Sequence, residues 1–99
     1  MIRHIFMATF KAGLADEIKA DALATFKALY REITQAVNPE IGLSTGWVGG
    51  KNQLVLTADF QNKADFDIYM NHPRHLELID KAQNIYFDPK SFIVVQFEF

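Results

Sequence analysis

Alternating side chains predict a β-strand over residues 2–10, because successive residues of a strand point to opposite faces of a sheet. One face carries Ile2, His4, Phe6, Ala8 and Phe10. The other face carries Arg3, Ile5, Met7 and Thr9. Both faces are therefore largely apolar, which is typical of a strand that is covered on both sides.

A helical period follows this strand and predicts a long helix over residues 16–37. Apolar residues recur there at steps of three and four, the spacing that places them on one helix face. They are Ile18, Ala22, Phe26, Leu29, Ile33 and Val37. Acidic Asp16 and Glu17 favour a helix start, and Asn38-Pro39 is expected to end the helix.

The middle of the chain predicts a hairpin, with strands over 43–48 and 53–60 joined by the turn signal Gly49-Gly50-Lys51-Asn52. Asn62 is suited to cap a helix that begins at Lys63.

This second helix is expected to break at His72-Pro73 and to resume to about Asn84. Its resumed part should bury Leu76 and Ile79, with Ile85 as a further candidate. A turn at Asp88-Pro89 then leads to a last strand over 91–99.

The element order β-α-β-β-α-β predicts an α+β fold of the ferredoxin-like class, with a four-stranded antiparallel sheet and helices on one face. The length of 99 residues fits one domain, spanning 1–99. The last strand, like the first, has apolar residues on both faces: Ile93, Val95, Phe97 and Phe99 on one side, and Phe92 and Val94 on the other. One chain has no element left to cover the second sheet face, so we expect a homodimer that joins through the sheet faces.

Composition narrows the classes of partner. The net charge is −2 with no basic run, which argues against nucleic-acid binding because phosphate contacts need clustered Lys and Arg. The absence of cysteine excludes disulfides and thiolate metal sites. Neither a signal peptide nor an apolar run of roughly 20 residues is present, so no membrane partner and a cytoplasmic location are expected.

Candidate chemistry is concentrated in Tyr69-Met70-Asn71-His72-Pro73-Arg74-His75. Pro73 suits the first helical turn and keeps His72 outside the helix, as a cap. His75 then falls in the first turn, where the helix dipole disfavours a protonated imidazole. A neutral histidine beside an apolar pocket can act as a general base.

Less specific interpretations remain open for these residues. His72 and His75 could contribute to a metal site with His4, Asp65 or Glu77, but their spacing is not diagnostic and no metal is predicted. His4 is either a core residue with a satisfied hydrogen bond or a residue that lines a cavity. The same choice applies to Tyr69.

Four segments resemble the stress-responsive α/β-barrel (Dabb) domain family. They are Ile2-Arg3-His4-Ile5, Leu54-Val55-Leu56-Thr57-Ala58-Asp59-Phe60, the Tyr69–His75 segment, and Val95-Gln96-Phe97-Glu98. The resemblance implies a homodimer in which two four-stranded sheets face each other as an α/β barrel.

The family includes plant stress-associated proteins without an assigned reaction and polyketide cyclases such as olivetolic acid cyclase. In that cyclase a Tyr and a His act on a linear polyketide, and their positions match Tyr69 and His75. By the same resemblance, His72 and His4 match further histidines of the family. A pocket tyrosine on the first helix of the cyclase is not assigned to Tyr30, because the loop lengths differ.

These observations predict a pocket between sheet and helices that binds a small apolar or aromatic ligand without a cofactor. His75 and Tyr69 are the candidate catalytic residues, and His4, His72, Phe6 and Phe66 are the candidate ligand-binding residues. The first alternative is a cyclase-like enzyme with His75 as general base and Tyr69 as donor to an oxyanion. The second is a structural stress protein whose large phenylalanines fill the space. A cavity of about 300 Å³ or more would favour ligand binding or catalysis.

Overall fold

A four-stranded antiparallel sheet forms the centre of the protein, in a computed structural model that describes all 99 residues. Its strands are β1 (Ile2–Thr9), β2 (Val37–Leu43), β3 (Gln53–Phe60) and β4 (Ile93–Glu98). The order β2-β3-β1-β4 places β1 and β3 in the middle and leaves β2 and β4 as edges. Together with the helices below, this confirms the predicted ferredoxin-like fold.

The helices are α1 (Asp16–Glu32), α2 (Lys63–Asn71) and α3 (Pro73–Lys81). A π-helical turn (Ala82–Tyr86) and a 3₁₀ turn (Pro89–Ser91) connect α3 to β4. The predicted helix break at residues 72–73 is present, because proline at the first position of α3 has no N–H that needs a partner. Asn62 caps α2 as expected, since its side-chain oxygen accepts a hydrogen bond from the Asp65 N–H at 2.8 Å.

The prediction for residues 33–43 was wrong. Helix α1 ends at Glu32 rather than at Val37, and β2 begins at Val37. Asn38-Pro39 lies inside β2 at an irregularity of the register, with Asn38 at a φ of 49°. An edge strand tolerates proline, because one of its sides makes no ladder hydrogen bonds. Pairing with β3 therefore outweighs the helical spacing that Ile33 and Val37 share with α1.

The predicted strand over 43–48 was also wrong, because β2 ends at Leu43 and the residues after it form a loop. Gly46 and Gly49 have φ values of 69° and 62°, a left-handed conformation that breaks an extended strand. Trp47 and Val48 lie in the resulting loop and are 88% and 98% exposed. The hairpin between β2 and β3 is thus longer than the four-residue turn that the glycines indicated.

The two faces of the sheet differ in what covers them. The helix-side face packs against the helices and contains the buried residues His4, Ala8, Leu54, Leu56, Ala58 and Phe60. The open face has no covering helix and contains Ile5, Met7, Val55, Ile93, Val95 and Phe97. The apolar character predicted for both faces is therefore present.

Helix α3 and the turn after it bury only part of the predicted stripe: Ile79 is half-buried and borders the core, but Leu76 and Ile85 are not buried. His75, Leu78 and Ala82, at steps of three and four, are buried against the core, whereas Leu76 and Ile85 are about half exposed. The sequence places apolar residues on both sides of α3, so hydrophobicity alone selected the wrong side for Leu76. The inward turn of His75 is the feature that positions the site.

Candidate ligand pocket

An apolar cavity of about 180 Å³ lies between the helix-side face and α3. We call it the His4–His75 pocket. Its walls are formed by His4, Phe6, Phe26, Leu56, Tyr69, Met70, His75, Leu78, Ile79, Ala82, Gln83, Phe92 and Val94. None of these side chains is acidic, lysine or arginine, so the pocket favours an uncharged occupant.

The volume sets an upper size for that occupant. The pocket is smaller than the about 300–1,000 Å³ of sites that bind drug-sized molecules, and it falls below the volume of about 300 Å³ that was expected of a ligand-binding or catalytic pocket. It is comparable with an apolar cavity of about 150 Å³ that accommodates benzene in another protein. A single ring with one or two small substituents therefore fits, whereas a long chain does not fit inside one protomer.

Four of the six predicted site residues line this pocket: His4, Phe6, Tyr69 and His75. Phe66 lies behind the wall, with its ring centroid 5.5 Å from that of His4. His72 is not part of the wall. Its Nδ1 accepts a hydrogen bond from the Arg74 N–H at 3.1 Å and so caps α3.

His75 is held as a neutral imidazole with a free nitrogen. Its Nδ1 lies 3.0 Å from the Met70 carbonyl oxygen, which can only accept, so Nδ1 carries the proton. Burial lowers the pKa of His75 from its usual value of 6.5. The Nε2 atom has no hydrogen-bond partner in the protein and keeps its lone pair, which is the state required of a general base.

His4 faces the same pocket from β1. It is 3% exposed, and its Nδ1 lies 3.0 Å from the Nε2 atom of Gln96 on β4. Burial lowers the pKa of His4 to about 4, and the nearby His75 contributes in the same direction. Both pocket histidines are therefore neutral near pH 7.

Tyr69 forms a hydrogen-bonded pair with Tyr30, a residue of α1. The Tyr30 hydroxyl donates to the Tyr69 hydroxyl at 2.6 Å, so the Tyr69 proton remains available for another acceptor. Burial raises the pKa of Tyr69 to about 12 and that of Tyr30 well above its usual value of 10. The ring of Tyr69 packs 4.3 Å from the ring of His75, centroid to centroid.

Tyr30 is a site residue that sequence reasoning did not assign. The available signal was its spacing of four residues from Phe26, which places both on the inward face of α1. Its contact with Tyr69 joins residues 39 positions apart and follows only from the packing of α1 against α2.

The structure has neither a metal-binding cluster nor a membrane-spanning helix. No group of three or more His, Cys, Asp or Glu side chains is arranged to hold a metal ion. No helix combines the length and the hydrophobicity that a membrane span requires.

Residues 2–99 match the Stress responsive A/B Barrel Domain (Dabb) family. The chain belongs to this family. The match covers the four segments whose resemblance the sequence indicated and includes every residue of the His4–His75 pocket. No curated protein matches the sequence at a significant level.

Solved structures with the same fold are distant in sequence. A dimeric ferredoxin-like protein of unknown function from Thermobifida fusca is 20% identical, with a TM-score of 0.85 over 99% of this chain and 90% of that chain. A second dimeric protein of unknown function, from Bacteroides fragilis, is 24% identical, with a TM-score of 0.76 over 99% and 95% of the two chains. Hydroxynitrile lyase from Passiflora edulis is 18% identical, with a TM-score of 0.79 over 97% and 90%. At these identities the likeness establishes the fold.

Proposed function

We propose that this Dabb protein binds a small, uncharged, apolar or aromatic ligand in the His4–His75 pocket. The observation that carries the proposal is the convergence of His4, Tyr69 and His75 on an apolar cavity of about 180 Å³. A purely structural role does not require three polar side chains around a space that the phenylalanines leave unfilled.

Free hydrogen-bonding capacity supports ligand binding. The Nε2 atoms of His4 and His75 have no partner in the protein. Every fully buried side-chain nitrogen or oxygen of the protein has a hydrogen-bond partner. Because these two Nε2 atoms have none, they are not fully buried, and a ligand can reach them. A few polar groups in an apolar wall are the arrangement that orients small ligands in binding sites.

A thermal-shift titration with phenol and small β-keto compounds tests the proposal. A ligand at 100 times its dissociation constant stabilises the native state by about 2.7 kcal/mol, which gives a clear rise in Tm. We expect a saturable rise for the wild type, its loss in His75→Ala, and its retention in Leu76→Ala. Leu76 is the matched control, since it neighbours His75 but is 53% exposed and outside the pocket.

Two results would count against the proposal. If His75→Ala unfolds the protein while Leu76→Ala does not, His75 has a structural role. If no single-ring compound raises the Tm of the wild type, the alternative of a structural stress protein is favoured.

A second candidate function is cofactor-free catalysis at the same site, favoured by the protonation states of His75 and Tyr69. The free Nε2 atom of His75 would take a proton from an acidic C–H or O–H group of the ligand, and Tyr69 would donate a hydrogen bond to the resulting oxyanion. The hydroxynitrile lyase with this fold is consistent with a catalytic use of the scaffold. Turnover that His75→Ala abolishes, at saturating ligand, would distinguish catalysis from binding.

We further propose that two copies join through their open faces. Ile93, Val95 and Phe97 are each about half exposed on this face, although large apolar side chains are unfavourable in water. Two solved structures of the same fold are described as dimeric. A second copy presents an equally apolar face and would cover these residues as the second layer of a barrel.

A further inference from the structure

We propose that Gln96 is a positioning residue whose amide nitrogen donates to Nδ1 of His4 and so favours the tautomer with the proton on Nε2, so that His4 donates a hydrogen bond into the pocket while His75 accepts one. This inference rests on the proposed ligand-binding function and assigns donor and acceptor roles within it. It also defines the class of ligand: an uncharged compound of single-ring size that carries both a hydrogen-bond acceptor and a hydroxyl.

The sheet register brings Gln96 to His4. The two residues are direct partners across the β1–β4 ladder, and both side chains lie on the helix-side face. The amide nitrogen of Gln96 lies 3.0 Å from Nδ1 of His4. With the amide nitrogen rather than the amide oxygen facing Nδ1, Gln96 donates and Nδ1 accepts. A neutral imidazole has a single N–H, which must therefore be on Nε2.

The opposite tautomer is fixed at His75. There the partner of Nδ1 is the Met70 carbonyl oxygen, which can only accept, so Nδ1 is protonated and Nε2 is not. His4 thus presents an N–H to the cavity, whereas His75 presents a lone pair to it. The residue opposite each Nδ1 atom determines this difference.

The ligand that satisfies both groups follows from this pairing. Its acceptor, such as a carbonyl oxygen, would receive the Nε2–H of His4, and its hydroxyl would donate to Nε2 of His75. A carboxylate or an ammonium group would enter a pocket without a charged partner and would lose hydration that nothing replaces. An apolar ring without polar substituents would leave both histidine nitrogens unpaired.

Imidazole ¹⁵N NMR of the ligand-free protein at pH 8 tests the tautomers directly. We expect His4 to show a protonated Nε2 and His75 a protonated Nδ1 in the wild type. In Gln96→Glu, a nearly isosteric change of an exposed side chain, the carboxylate can only accept, so the His4 proton should move to Nδ1. In the control Gln83→Glu, which adds a carboxylate to the pocket wall without a bond to His4, the tautomer should stay unchanged.

The second measurement is calorimetric binding of two size-matched probes, 3-hydroxybenzaldehyde and 3-methylbenzaldehyde. The wild type should bind the hydroxyl compound about tenfold more tightly, since only this probe can donate to His75. Gln96→Glu should weaken binding of both aldehydes by a similar factor, because His4 no longer donates to the carbonyl.

A wild-type His4 that is protonated on Nδ1, or a tautomer that Gln96→Glu does not change, would overturn the role of Gln96. Equal affinity of the wild type for the two probes would overturn the ligand class. If the tautomers are as expected but neither aldehyde binds, the positioning role of Gln96 stands and the proposed binding function fails.

Discussion

At the scale of the residue, three histidines of identical chemistry have three different roles. His72 caps α3, His75 presents a lone pair to the pocket, and His4 contacts Gln96 and faces the same pocket. The sequence predicted the cap and the first-turn position of His75, because proline at residue 73 fixes the local backbone. It could not predict the tautomers, since that of His75 depends on how the chain bends between Met70 and His75, and that of His4 depends on Gln96, which is 92 residues away.

Burial of neutral His4 predicts a pH dependence of stability. The pKa of His4 is about 4 in the folded protein and close to its usual 6.5 in the unfolded chain. Between these values the unfolded state binds more protons, so stability rises with pH and is lost as pH falls from about 6.5 to about 4. A shift of this size corresponds to a loss of at most about 3–4 kcal/mol.

The measurement is urea denaturation between pH 4 and pH 8, compared with His4→Gln. The variant should have lower stability at pH 8 but a smaller slope between pH 4 and 6.5. His75, whose pKa is also lowered by burial, contributes a slope of the same sign in both proteins. Equal slopes in wild type and variant would contradict the neutral, buried state of His4.

The direction of the Tyr30–Tyr69 hydrogen bond predicts unequal effects of removing each hydroxyl. In Tyr69→Phe the buried Tyr30 hydroxyl loses its acceptor, which costs about 1–3 kcal/mol of stability. In Tyr30→Phe the Tyr69 hydroxyl loses a donor but can still donate to a ligand, so the loss should be about 1 kcal/mol with binding retained. Chemical denaturation measures both variants, and a larger loss for Tyr30→Phe would contradict the assigned direction.

At the scale of the element, local signals predicted helix starts well and one strand badly. Asn62 and His72-Pro73 mark the starts of α2 and α3 through hydrogen bonds within three residues of sequence. The boundary between α1 and β2 depends instead on pairing with β3, which lies far along the chain. The periodicity of residues 33–37 fits a helix, so only the partner strand could reveal that Val37 begins β2.

The cap at α3 predicts that His72 affects stability rather than ligand binding. His72→Ala removes the acceptor for the Arg74 N–H and should cost about 1 kcal/mol. His72→Asn keeps a capping side chain and should restore most of that stability. Ligand affinity, measured by calorimetry, should be the same in both variants, and a selective loss of binding in His72→Ala would place His72 in the site.

At the scale of the whole molecule, the sequence predicted the ferredoxin-like fold because the order of its elements and the apolar character of both sheet faces agree. It predicted that His4, Phe6, Tyr69 and His75 share a pocket, and the structure brings these four together. It could not predict the size of the pocket, about 180 Å³, since that depends on how the phenylalanine rings pack.

Adjacent valines on β4 give a matched test of the dimer. Val94 and Val95 are each 48% exposed, but Val94 borders the pocket whereas Val95 lies on the open face. Val95→Glu would bury a charge between two copies and should yield monomer or aggregate. Val94→Glu should leave the dimer intact, and light scattering that finds Val95→Glu still dimeric would contradict an interface through the open face.

The most direct test of the central claim, that the His4–His75 pocket is the functional site, is a titration of the wild-type protein with 3-hydroxybenzaldehyde, monitored through the imidazole NMR signals of its three histidines. The structure predicts that the signals of His4 and His75 shift together and saturate with one dissociation constant, while that of His72, outside the pocket, does not move. A shift confined to His72, or unchanged signals for His4 and His75 when the protein binds the probe, would contradict the account.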